Sequence, residues 1–220
     1  MEAQLRRPLR TKESPASGKR AQAKERNRRV ILDAARRVFA ELGYGSTTVR
    51  DIIRATPLAS GTFYNYFQSK EEVFQAMRDE MALALRPALR EARLKAETAE
   101  AFVSATFRTF FAYVAANRGN GGSPAVVHAT HVRVDTPEIL AGFAELREDL
   151  EAAIARGLFP PADPEFLTTA MVGVGFEMAE AMQRRPSADP DEAARFATAL
   201  FMGGIAALPK PGDVAAGGVN

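Results

Sequence analysis

Four times beyond residue 120, a residue able to cap a helix stands directly before a proline: Ser123-Pro124, Thr136-Pro137, Asp163-Pro164 and Asp189-Pro190. An acid follows in three of them, Glu138, Glu165 and Asp191. Proline at the first helical position loses nothing, because the amide it lacks would have no partner there. The preceding oxygen takes up a free amide, and an acid in the first turn suits the positive end of the helix. The spacing therefore predicts helices over 124–132, 136–156, 164–184 and 190–207. No segment alternates apolar and polar residues with period two for long enough to argue a sheet. The chain is expected to be all-α.

The first half reads the same way. A helix is predicted from Arg26, with Ile31, Ala34, Ala35, Val38, Phe39 and Leu42 on one face. Gly43 ends it as a left-handed cap. Thr48 opens a second helix with Asp51 three residues on, close to a capping box, and Pro57 stops it near Ala55. A third short helix spans about 59–66, and Ser69, with Glu72 following, caps a fourth over 70–95 that is bent or broken near Pro87. A further helix covers 98–117. Two short helices joined by a tight turn and braced by a longer one make a helix-turn-helix, whose second short helix enters the major groove of DNA.

Charge points to the same partner. Residues 1–70 hold 15 Lys+Arg against 6 Asp+Glu, a balance of +9, while residues 71–220 balance at −7. A basic head suits a polyanion, either nucleic acid or an anionic membrane surface. Residues 1–24 mix Arg and Lys with Pro, Ser and Gly without apolar periodicity, and are expected to form a disordered basic arm. The absence of Cys removes disulfides, thiolate zinc sites and a cysteine nucleophile. No apolar run approaches the ~20 residues that span a bilayer, so a soluble, cytoplasmic protein without a membrane partner is expected.

Residues 27–75 carry an Ala-Ala/Phe helix, the run Gly-Tyr-Gly before "TTVRDI", and "GTFYNYFQSKEEVF". This stretch resembles the DNA-binding domain of the tetracycline-repressor (TetR) family. The resemblance implies an all-α homodimer of about nine helices, with an N-terminal three-helix helix-turn-helix DNA-binding domain over 25–72 and a C-terminal helical effector-binding and dimerisation domain over 73–208. A flexible tail over 209–220 is expected to follow. It implies phosphate contacts from Thr47, Thr48, Arg50 and Lys70, base contacts from Ser60, Gly61 and Asn65, and backbone contacts from Thr62, Tyr64 and Tyr66. Phe63 and Phe67, four apart, are expected to turn inward onto Phe39 and Ile52. The chain departs from the family at Pro57, Leu58 and Ala59, where relatives often carry Gly, Val and Ser, so the turn loses a flexible residue and the third helix a side-chain cap.

In the body, Phe107, Phe110 and Phe111, with Phe143 and Phe176 on later helices, supply more aromatic surface than one core stripe needs. They read as core or as an apolar pocket for a hydrophobic small-molecule effector. His128 and His131 lie three apart without a third ligand nearby, so no metal is expected; they are a polar pair lining that pocket, or packed or exposed histidines. The helices over 164–184 and 190–207 are apolar over too much of their circumference for a monomer, and are expected to pair two copies. The resulting expectation is a ligand-responsive repressor on a pseudo-palindromic double-stranded operator, without a cofactor. The rivals are a nonspecific DNA- or lipid-surface binder and an all-helical enzyme, the latter disfavoured by the missing acid, nucleophile or metal constellation.

Overall fold

The computed structural model describes residues 15–117, 136–185 and 187–205, with side chains from residue 19 onward. Among the described residues there are eight helices and no strand. These are α1 (Pro15–Leu42), α2 (Val49–Arg54), α3 (Ser60–Tyr64), α4 (Lys70–Leu94), α5 (Ala99–Ala116), α6 (Pro137–Ala155), α7 (Pro164–Arg184) and α8 (Pro190–Ile205). The all-α reading holds. The helix expected over 124–132 lies outside the described residues, as does the tail over 209–220.

Three of the cap-proline signatures can be followed, and each marks a helix start. Their chemistry differs. Asp163 accepts from the amides of Glu165 (2.8 Å) and Phe166 (3.2 Å), and Asp189 accepts from that of Asp191 (3.0 Å). The Thr136 side chain makes no cap bond; its hydroxyl instead donates to Asp79 Oδ1 at 2.6 Å, tying the start of α6 to α4.

Two expectations are corrected. α1 begins at Pro15, so residues 15–24, read as disordered arm, are helical. The apolar period that would reveal a helix is missing because, from Lys19 to Arg26, every residue but Ala23 is exposed. What holds that stretch helical is its content of Ala, Lys, Arg, Gln and Glu, all good helix formers. α4 is not broken at Pro87. Pro87 faces solvent, and Leu83, whose carbonyl loses its helical donor to the ring, is 53% exposed, so water can take up that carbonyl.

Two cores follow from the sequence pattern. In the head, Ile31, Leu32, Ala35 and Phe39 of α1 pack with Ile52 of α2, Phe63 and Phe67, and Val73, Phe74 and Met77 of α4. Leu42, at the end of the predicted apolar face, is half exposed instead. In the body, α5 lies along α8 and between α4 and α7, around Phe102, Phe107, Phe111, Leu150, Met171 and Phe201. α4 belongs to both, joining α1 near its start and α5 and α6 further on.

Candidate functional site

The head presents α2 and α3 through a chain of local bonds. Gly43 adopts φ +76, where only glycine is unstrained, and its amide closes α1 on the Phe39 carbonyl at 3.0 Å. Thr48 and Asp51 form a full capping box. The Thr48 hydroxyl and amide hold the Asp51 carboxyl below the usual carboxylate range. Arg37 reaches the Ala55 carbonyl at the far end of α2 (3.3 Å). The turn then bends without a left-handed residue. The Thr56 hydroxyl donates to the Ile53 carbonyl (2.8 Å) and accepts from the Leu58 amide (3.2 Å), which lets Pro57 stand where a flexible residue would otherwise be needed. Ala59 enters α3 extended and, as its methyl side chain dictates, without a side-chain cap.

α3 divides its rings by face. Phe63 and Phe67 are 1% and 5% exposed, with ring centroids 6.1 Å apart, whereas Tyr64 is 49% exposed. Ser60, Gly61 and Asn65 are exposed beside Tyr64, and Thr62 and Tyr66 are half-buried. Thr48 and Arg50 are exposed on α2. Thr47 is placed differently from expectation. It is 1% exposed and its hydroxyl donates to the Gly43 carbonyl (2.8 Å), so its side chain supports the turn rather than facing a phosphate. Lys70 is half-buried. Its ammonium donates to the carbonyls of Tyr44 (2.9 Å), Gly45 (3.3 Å) and Thr47 (2.9 Å) and sits 4.7 Å from the Tyr44 ring centroid. In this placement Lys70 stitches the α1–α2 turn to α4. Beside it, burial and the hydrogen bond to Glu71 (3.1 Å) push the Tyr44 hydroxyl up to about 12.

The body holds a cavity of about 130 Å³ between α4, α5, α6 and α7. Of the residues expected at an effector site, Phe107, Phe110, Phe143 and Phe176 line it. The rings of Phe110 and Phe143 stand edge-on to Phe176, with centroids 5.6 and 6.5 Å away. Phe111 does not line it: fully buried, it stacks on Phe107 at 5.7 Å and belongs to the core. His128 and His131 lie outside the described residues. The wall that sequence reasoning missed is α4, with Arg78, Met81, Leu85, Arg86, Leu89 and Arg93. Their three-four spacing was legible, yet arginines at 78, 86 and 93 made the stripe look solvated.

Those arginines meet acids from α6. Arg86 makes a two-pronged contact with Glu145, one prong from Nε at 3.3 Å, and Arg90 stands 3.5 Å from the same carboxylate. The Arg86 guanidinium keeps the Glu145 carboxyl below the usual range. Arg93 and Asp149, 3% and 6% exposed, pair at 2.8 Å. Nearer the head, Glu80 of α4 is clasped by Arg28 and Arg36 of α1, each at 2.6 Å.

Comparison with known proteins agrees with this geometry. Residues 31–77 match the model of the "Bacterial regulatory proteins, tetR family". The whole chain is similar in fold to the fatty acid degradation regulator FadR of Bacillus halodurans, at 21% identity over 88% of this chain and 98% of that one, with a TM-score of 0.65. FadR of Bacillus subtilis, solved in complex with stearoyl-CoA, matches at 22% identity over 80% and 98%, TM-score 0.64. A regulatory protein in the tetR family from Rhodococcus RHA1 matches at 24% identity over 81% and 96%, TM-score 0.64. With the family's DNA-binding head at 31–77 and the fold of its members over the body, the chain belongs to the TetR family of DNA-binding transcriptional regulators.

Proposed function

We propose that this protein is a ligand-responsive repressor: a homodimer that holds a pseudo-palindromic operator until a hydrophobic small molecule enters the body and releases it. The chain divides, on this reading, into a DNA-binding head over 25–72 and an effector and dimerisation body over 73–208. Thr48, Arg50, Thr62, Tyr64 and Tyr66 meet the DNA backbone while Ser60, Gly61 and Asn65 face bases. The protein works in the cytoplasm, where its DNA is. The observation that carries the proposal is the reach of α4, which starts at the turn beneath α2 and ends as a wall of the apolar cavity. A ligand that binds better when α4 is displaced must, by linkage, weaken DNA binding by the same factor. The FadR of B. subtilis, solved with stearoyl-CoA, supports an apolar effector for this fold.

Pairing through α7 and α8 is supported by their outer faces, where Phe166, Phe196 and Leu200 are 76%, 63% and 58% exposed and Ala170 and Gly173 permit close approach. The test is selection of genomic fragments by the purified protein, followed by release with hydrophobic compounds. Recovery of a twofold-symmetric site, bound at least ~10³ times more tightly than random duplex and released by one such compound, is expected. Equal affinity for all duplexes, falling together with salt, would identify a nonspecific electrostatic binder instead.

A further inference from the structure

We infer that the effector is a compact anion, a small monocarboxylate whose apolar body is about one ring in size and whose carboxylate meets the guanidiniums of α4. This rests on the reading of the α4–α7 cavity as the effector site and names the chemistry it selects.

Size comes first. The cavity measures about 130 Å³, below the ~300–1,000 Å³ of most small-molecule pockets and close to the ~150 Å³ apolar void that suffices for benzene. Its far side is built from the rings of Phe107, Phe110, Phe143 and Phe176, with edge-on geometry that suits a further ring or a short branched chain. Gly175 helps set that space: a Cβ there would touch the rings of Phe107 and Phe110 at 3.7–3.8 Å. A long acyl chain exceeds this room.

Charge then selects the head group. The wall carries Arg78, Arg86 and Arg93 against Glu145 alone, and Asp149, paired with Arg93, completes the acids seen on these arginines. Guanidiniums stay charged at any physiological pH. Arg78 is only 7% exposed, so its field acts in a medium where a full charge on the ligand is felt strongly. An anion gains from this wall, a neutral isostere gains little, and a cation is repelled. The planar fork of Arg matches a carboxylate by two parallel bonds. A ligand carboxylate on Arg86 also takes the place of Glu145, the residue through which α6 grips α4. Binding and displacement of α4 are therefore one event.

The experiment is calorimetry on the full chain with three probes of one shape: 4-methylbenzoate, 4-methylbenzamide and 4-methylbenzylamine. The carboxylate is expected to bind about tenfold or more tightly than the amide, the worth of one charge-assisted contact, and the amine weakest. Arg78→Met and, separately, Arg86→Met should each remove about tenfold from carboxylate affinity and leave the amide unchanged. Thermal melts report whether each variant folds, and Arg86, whose side chain is 28% exposed, carries the test if Arg78→Met does not. An amide that binds as tightly as the carboxylate overturns the anionic head and leaves the hydrophobic-effector reading standing. Carboxylate affinity indifferent to both substitutions overturns the placement. Binding of stearoyl-CoA with none of the three probes overturns the size, again leaving the reading intact. Failure of these probes and of every hydrophobic compound to release the operator would overturn both.

Discussion

Gly61 is required by neither backbone nor packing. Its φ is not positive and a Cβ built on it would meet nothing within 4 Å. A glycine in the first turn of α3 costs helix stability relative to alanine, so its benefit lies outside the chain, in the close approach of another molecule. Gly61→Ala is expected to raise stability by about 0.4–1 kcal/mol, measured by urea unfolding, while lowering operator affinity. A second consequence at this scale concerns Tyr44, whose folded pKa of about 12 exceeds the ordinary 10.0. Because the folded state holds this proton more tightly, its contribution is complete below pH 10 and is lost as pH rises from 10 through 12. Unfolding free energy should therefore fall less steeply over that interval in Tyr44→Phe than in the parent.

At the scale of elements, the seam between α4 and α6 decides more than either helix. Arg93 and Asp149 are desolvated together, so their attraction mainly offsets the cost of burial. Removing one partner strands a buried charge. Asp149→Leu is expected to cost about 3–5 kcal/mol, whereas Arg93→Met combined with Asp149→Leu should return close to the parent; chemical denaturation of the three variants checks the difference. The head depends on smaller terms. With Asp51 held below the usual carboxylate range, the α2 capping box is complete above the ordinary aspartate pKa and is lost as pH falls through the lowered one. The boundaries of these elements were legible because caps, prolines and Gly43 act locally. The early start of α1 was not, since an exposed helix carries no apolar period, and the continuity of α4 through Pro87 depended on which side faced solvent.

For the whole molecule, the exposed rings and leucines of α7 and α8 pose the largest question. Phe166, Phe196 and Leu200 present apolar area that a lone chain would leave in water. Substituting Phe196→Asp together with Leu200→Asp is expected to give a folded monomer by sedimentation. Operator affinity should then fall by orders of magnitude, because two half-sites are no longer bound by one body. Should the double variant remain a dimer, the pairing surface lies elsewhere.

What the sequence determined by itself is whatever depends on neighbours along the chain. The all-helical class, the helix starts at Pro137, Pro164 and Pro190, the capping box at Thr48 and the inward phenylalanines of α3 follow from short-range sterics, hydrogen bonding and the 3.6-residue period. Tertiary structure decided what depends on distant partners. Thr47 turned inward because the Gly43 carbonyl met it, Lys70 was drawn onto three carbonyls of the preceding turn, and Phe111 fell to the core while Phe110 reached the cavity. Arg78, Arg86 and Arg93 became a cavity wall for the same reason. Only packing α4 against α6 takes a charged stripe out of water and brings its counter-charges from more than fifty residues away.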